Sequence, residues 1–217
     1  VTLAITIKKI RNEDHSNWDN YVNNHQEGSF FHLAGWKTVI ENSFTLSCYF
    51  LAAIEDNRIC GVLPLVEVKS ALFGHALVST PFCVYGGAIT DSDEIKRQLE
   101  QEAIRLSEEL QVDHLELRYK NAQDNGMLLK QAHSTFGCEI ADTPDDILAK
   151  VKKKQRAVIR HSLKNELSHQ VTQEVDAFYH LLSQSYRNLG TPIFKKKFFE
   201  NLVSTFGDAV DITLVND

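Results

Sequence analysis

The sequence predicts a mixed α/β (α+β) fold in which a mixed sheet is flanked by helices. Three observations carry this. Apolar residues make up 43% of 217, with only ten Gly and four Pro, which is enough to build a core and excludes disordered and collagen-like chains. Segments with an apolar period of two alternate with segments of period 3.6. The order strand, helix, helix, strand that opens the chain recurs near its end.

Leu3–Ile10 alternates apolar and polar residues and predicts a strand. Asp14–Asn24 places Trp18, Tyr21 and Val22 at helical spacing behind a cap at Asp14 or Ser16. His32–Ser43 predicts a second short helix, with Leu33, Trp36, Val39 and Ile40 on one face. Leu46–Glu55 and Ile59–Val68 flank Asp56-Asn57-Arg58 and read as a hairpin. Ala76–Val84 is a third β-rich run, broken by Pro81, and Tyr85-Gly86-Gly87 is a turn where backbone can be approached closely. Asp91–Leu110 is the strongest helix, capped at Ser92 or Asp93, with its stripe on Ile95, Leu99, Ala103, Leu106 and Leu110. His114–Arg118 predicts a strand, Asn125–Thr135 a helix and Cys138–Ala141 a short strand.

Residues 1–145 are therefore expected to form a first domain. In residues 146–217, Asp146–Leu167 predicts a long basic helix or helix pair. His169–Glu174 follows as a strand, Asp176–Asn188 and Pro192–Thr205 as helices, and Val210–Val215 as a strand. Two strands do not bury the faces of a sheet. The second domain is therefore expected to be cut short.

Net charge is −6, from 23 basic and 29 acidic residues, which argues against a protein that holds DNA through its overall charge. No apolar run approaches the ~20 residues of a membrane span; the longest is Cys48–Ile54. Ile5-Thr6-Ile7 leads straight into Lys8-Lys9, so no signal peptide is expected. Cys48, Cys60, Cys83 and Cys138 form no Cys-x-x-Cys pair and read as free, mostly buried thiols.

The charge is unevenly spread. Lys150–Lys164 contains Lys150, Lys152, Lys153, Lys154, Arg156, Arg160 and Lys164 and no acid. As a helix it would turn Val151, Val158, Ile159, Leu163 and Leu167 to a core and leave most cations outward. Such a stripe suits phosphates: a tRNA backbone, a lipid-linked pyrophosphate or coenzyme A. Arg156 and Arg160 lie one helical turn apart, so both forks reach one phosphate. A solvated basic face between domains is the alternative.

Several stretches together resemble the FemAB-like branch of the GNAT acyltransferase superfamily. They are Ser29-Phe30-Phe31-His32-Leu33-Ala34-Gly35-Trp36, Gly61-Val62-Leu63-Pro64-Leu65, Pro81-Phe82-Cys83-Val84-Tyr85-Gly86-Gly87, Arg156–Asn165 and Tyr186-Arg187-Asn188-Leu189-Gly190-Thr191-Pro192. Within that branch the chain is most similar to the FemAB-related proteins associated with exosortase (PEP-CTERM) and exopolysaccharide systems. The resemblance implies two GNAT-like domains, the first complete in residues 1–145 and the second begun in 146–217, with the basic segment at their junction. It implies a cytoplasmic transferase that moves an aminoacyl or acyl group to the amine of a peptidoglycan or exopolysaccharide precursor. Aminoacyl-tRNA or acyl-CoA would be the donor substrate, tRNA a partner, and no cofactor tightly bound. Peripheral membrane contact stays open.

The residues themselves set limits on that chemistry. A coenzyme A loop needs a run of donating amides; Arg187-Asn188-Leu189-Gly190-Thr191-Pro192 ends in a residue without one. It reads instead as a helix stop at Gly190, with Pro192 opening the next helix. Arg187 is still expected to face a cleft. Trp36 and Tyr85 are the other candidate substrate contacts, beside Lys153, Arg156, Arg160 and Lys164. His32 is a candidate base, though a His beside an aromatic residue is more often structural. His161 and His169 lack a third ligand, so no metal is expected. There is no Gly-x-Ser-x-Gly and no cysteine with a suggestively placed His. This fits direct attack by the acceptor amine, with the general base open among a carboxylate, Tyr85 and the substrate itself. A coenzyme A-dependent N-acyltransferase, and a non-catalytic module that binds RNA or an anionic membrane through residues 150–164, are the competing readings.

Overall fold

The computed structural model describes residues 4–70, 74–130, 134–165 and 167–216. They divide into two compact units, residues 1–129 with 193–207 and residues 130–192 with 208–217.

The first unit is built on a long hairpin, β2 (Ser47–Glu55) and β3 (Arg58–Ser70). Asp56 and Asn57 both have positive φ, the backbone that a two-residue hairpin turn requires and that Asp and Asn tolerate best. The ladder slips between Ala53 and Ile54, so Cys60 has no partner of its own. The freed Cys60 carbonyl accepts from the Asp91 amide at 3.0 Å and from the Tyr21 hydroxyl at 3.0 Å. One bulge thus anchors elements on two sides of the sheet.

β1 (Thr6–Lys9) pairs with β2 on one edge. On the other edge β3 pairs with β4 (Gly74–Ser79) and, further along, with the short β5 (Ile89–Thr90). Pro64 lies between these two partners, and its carbonyl accepts from the Thr80 amide where the chain leaves β4. A proline is tolerated within β3 because its missing N–H falls at this break in the ladder. β6 (His114–Glu116) joins β4 in parallel, which makes the sheet mixed. The connection runs through α3 (Asp93–Glu109), whose N-cap Ser92 accepts from the Ile95 amide.

The sheet is buried on both faces. Phe50 and Ala52 face α1 (His15–Asn24) and α2 (Gly35–Phe44) with Trp18, Val39, Ile40, Val62 and Val66. Leu51 and Ala53 face α3 with Leu63, Leu77, Leu99 and Ala103. This is why β2 reads as a nearly continuous apolar run.

The second unit contains α4 (Pro144–Lys150), α5 (Lys153–Ser162), β7 (Ser168–Thr172), α6 (Val175–Leu189) and β8 (Ile212–Asn216), with β7 and β8 paired antiparallel. α7 (Lys196–Phe206) packs on α2 in the first unit, where Asn201 donates to the Ser43 hydroxyl at 2.8 Å.

Four expectations are corrected. No helix covers the described part of Asn125–Thr135; residues 131–133 lie outside the described residues. The Asn125 side chain instead donates to Glu100 and accepts from the Met127 amide, local bonding that competes with a helix. Cys138–Ala141 forms no strand; Phe136 and Ile140 are exposed and have no layer to pack on. Pro192 does not open a helix, since α7 begins at Lys196. The apolar residues of α5 face no core: Val158, Ile159 and Leu163 are all exposed. The long basic helix resolves into the pair α4 and α5, interrupted at Val151 and Lys152, both with extended ψ.

Candidate functional site

The parallel pair β4 and β6 ends at Val78–Glu116. Beyond it, backbone pairing is replaced by side chains and a loop. The Arg118 amide donates to the Ser79 hydroxyl at 2.7 Å, and the Arg118 carbonyl accepts from the amides of Gly86 and Gly87 at 3.1 and 2.9 Å. The loop Thr80–Gly87 is thereby folded over the carboxyl ends of two parallel strands, where ligands bind in open α/β sheets.

This loop is strained and closely packed. Thr80 is fully buried with φ 38°, and Phe82 has φ 71°. A β-branched residue at positive φ is a rare and costly backbone state that collects at functional sites. Among the described residues the Thr80 hydroxyl has no hydrogen-bond partner. The two glycines explain the packing. A Cβ at Gly86 would lie 2.5 Å from the Thr80 hydroxyl oxygen, and one at Gly87 would lie 2.4 Å from the Tyr119 ring. The close approach foreseen at Gly86-Gly87 is made by the protein itself, and both amides are spent on Arg118.

His32 fastens the loop to the opposite wall. Its Nε2 lies 3.0 Å from the Gly87 carbonyl, and its Nδ1 lies 2.8 Å from the Ser29 hydroxyl. The neutral ring satisfies both contacts, with Nε2–H donating to the carbonyl and Nδ1 accepting from Ser29. Burial lowers its pKa and keeps it neutral. With both nitrogens engaged, His32 is a strut here rather than a base. Arg118 braces the loop from below. Its Nε donates to Glu116 at 2.6 Å and its Nη1 to the Cys83 carbonyl at 3.0 Å.

An aromatic wall runs beside the loop. Trp36 donates its indole N–H to the Phe30 carbonyl at 3.0 Å, and ring contacts lead from Trp36 through Phe30 and Phe31 to Tyr85. Trp36 is buried and Tyr85 half-buried, so these two candidates share one wall. Phe82 stacks on Phe44 at 4.3 Å and meets Phe194 and Phe198.

On the α3 side, an open cavity of about 580 Å³ is lined by Lys96, Arg97, Glu100, Gln101, Gln123 and Asn125. At its base the buried Glu100 carboxylate accepts from the Tyr119 hydroxyl at 2.6 Å and from Asn125 at 3.0 Å. Lys96 donates to the Gln123 side-chain oxygen and lies 5.0 Å from the Tyr119 ring centre. Sequence reasoning missed Thr80, Arg118, Glu100 and Tyr119. A Thr directly before Pro81 in a broken β-rich run was the one available signal.

In the second unit, Lys153, Arg160 and Lys164 are exposed on or just after α5. Arg156, half-buried, donates to the Ala149 carbonyl at 3.3 Å across the break between α4 and α5. Arg187 is exposed in the last turn of α6, which stops at Gly190 with φ 68°. The stop foreseen at Gly190 is therefore present, while the helix foreseen at Pro192 is not. Among the described residues no cluster is suited to a metal ion, and no helix is long and apolar enough to cross a membrane.

No family model matches the chain, and no curated protein matches it. Among solved structures it is similar to FemX, with a TM-score of 0.64 and 16% identity over 97% of this chain. The chain spans 57% of the length of that FemX structure. It also matches a transcriptional regulator from Bacillus halodurans C-125 over 63% of this chain and 100% of that one, with a TM-score of 0.42 and 12% identity. A GNAT family acetyltransferase from Staphylococcus aureus subsp. aureus USA300_TCH1516 matches over 64% and 100%, with the same TM-score and identity. These two are too distant to assign a fold. The FemX fold agrees with the resemblance to the FemAB-like branch.

Proposed function

We propose that the protein transfers an aminoacyl or acyl group to the amine of a cell-envelope precursor of peptidoglycan or exopolysaccharide, on the cytoplasmic side. The observation that carries this reading is the FemX fold over 97% of the chain. On this reading residues 1–145 form one GNAT-like copy, and residues 146–217 carry elements of another.

The acceptor amine attacks the donor carbonyl directly. Its lone pair forms the new C–N bond, its proton passes to a base, and the ester or thioester bond to the donor breaks. Positioning and charge stabilisation suffice for such a step. Cysteine chemistry in the core argues the same way. Burial pushes the Cys48 and Cys83 thiols up to about 12, so neither is a thiolate nucleophile near neutral pH. In this reading Lys153, Arg156, Arg160, Lys164 and Arg187 of the second unit hold phosphates, and the wall of Trp36 and Tyr85 in the first unit is a separate candidate for substrate contact.

The test is a titration of the chain with aminoacyl-tRNA and with acyl-CoA, each at low and high salt. Saturable tRNA binding is expected to weaken with salt, because phosphate contacts release counterions. Arg156→Ala with Arg160→Ala should weaken it at least about tenfold while folding persists. Binding of acyl-CoA alone would replace the donor with a coenzyme A thioester. Unchanged tRNA binding in the folded double variant would remove the arginines from the site.

A further inference from the structure

We infer that α5 and the residues just after it form a docking surface for an anionic lipid bilayer. The surface shares Lys153, Arg160 and Lys164 with the phosphate contacts proposed above, but its aliphatic half does not depend on the transferase reading.

Three observations converge. First, α5 has no buried residue, and Val158, Ile159 and Leu163 are 64%, 37% and 74% exposed. Second, at 3.6 residues per turn these three side chains fall within a sector of about 140°, while Lys153, Lys154, Arg160 and His161 fall on the opposite side within about 120°. Third, among the described residues no carboxylate pairs with any cation of Lys150–Lys164; each ion pair found lies elsewhere. An unneutralised cationic face beside an exposed aliphatic one is the pattern of a helix lying in a membrane interface.

Charge complementarity names an anionic partner, and the aliphatic face chooses between anions. RNA phosphates would satisfy the cations and leave Val158, Ile159 and Leu163 in water. A bilayer takes both: lipid headgroups meet the cations, and the headgroup–acyl boundary takes the aliphatic side chains. Without those seven cations the 16 remaining basic residues face 29 acids, so the rest of the chain is repelled by an anionic surface.

The experiment is co-sedimentation of the chain with phosphatidylcholine vesicles, with and without phosphatidylglycerol, at low and high salt. Binding is expected only to vesicles that contain phosphatidylglycerol. Arg160→Ala with Lys164→Ala should lower the partition coefficient about twenty-fivefold, at roughly fivefold per cation near the surface. Val158→Ser, Ile159→Ser and Leu163→Ser together should lower it at least about tenfold and leave tRNA and acyl-CoA titrations unmoved. All five positions are exposed, and circular dichroism checks that each variant is folded. No binding to phosphatidylglycerol vesicles would overturn the inference. So would undiminished binding by the triple Ser variant.

Discussion

The β2–β3 hairpin and the α5–β7–β8 region both carry aliphatic side chains and end differently. Phe50, Leu51, Ala52 and Ala53 are buried on both faces of their strand, because α1 and α2 cover one side and α3 the other. Val158, Ile159 and Leu163 on α5, and Val171 and Val215 on β7 and β8, are exposed. In the second unit burial is confined to Val175 and Ile212 among the described residues. The difference teaches that periodicity sets which side chains share a face, while a second layer sets whether the face is buried. A two-stranded sheet is marginal in water without that layer.

Truncation breaks the comparison most sharply. Phe50 is fully buried against Trp18, with ring centres 5.3 Å apart. Phe50→Ala is expected to cost about 3–5 kcal/mol, through lost transfer energy and the cavity left behind. Leu163→Ala removes an exposed side chain and should change stability by less than about 0.5 kcal/mol. Urea unfolding midpoints of the two variants measure both. Equal costs would mean that α5 is covered in solution.

Much of the fold was legible because local signals agreed. The Asp56-Asn57 turn and the stripe on α3 each had one reading, the cap lay at Ser92 or Asp93, and tertiary packing kept the turn, the stripe and Ser92. The errors fell where an apolar pattern lacked a covering layer, as in residues 134–141, or where Asn125 offered the backbone a local partner. Trp36 and Tyr85 stood out as candidates because aromatic residues near glycines are visible in a sequence, and the structure puts both on one wall. Thr80 and Arg118 did not stand out. Their roles arise from a positive φ and from contacts 35 to 39 residues apart, such as Arg118 to Cys83 and to Ser79.

His32 sharpens the comparison through pH. Its folded pKa lies below the ordinary 6.5, chiefly through burial. The stability linked to it is present above pH 6.5 and is lost as pH falls, because the unfolded chain binds the proton first. The slope cannot exceed about 1.4 kcal/mol per pH unit for one proton. His32→Gln should flatten the decline between pH ~6.5 and ~5.5. His15 shifts in the same direction, and both proteins keep it, so their difference isolates His32. Identical pH profiles for the two proteins would mean that the ring titrates freely and the strut to Gly87 is not closed.

The last expected effect has an unusual sign. Thr80 places a hydroxyl without a partner in a fully buried position, which costs about 1–3 kcal/mol of desolvation. Thr80→Val keeps the shape and removes the polar atom. It should raise the unfolding midpoint by the equivalent of about 1 kcal/mol, where nearly every other core substitution lowers it. The strained φ of 38° remains, since Val is also β-branched, so the change reports on the hydroxyl alone. Gly86→Ala, whose new Cβ would meet that oxygen at 2.5 Å, provides the second arm of a double-mutant cycle. A stabilised Thr80→Val that also loses donor binding would place the hydroxyl in the site, since natural proteins keep such costs where function needs them. A midpoint that falls would show that the hydroxyl has a partner in solution, and the loop over β4 and β6 would then be an ordinary buried turn.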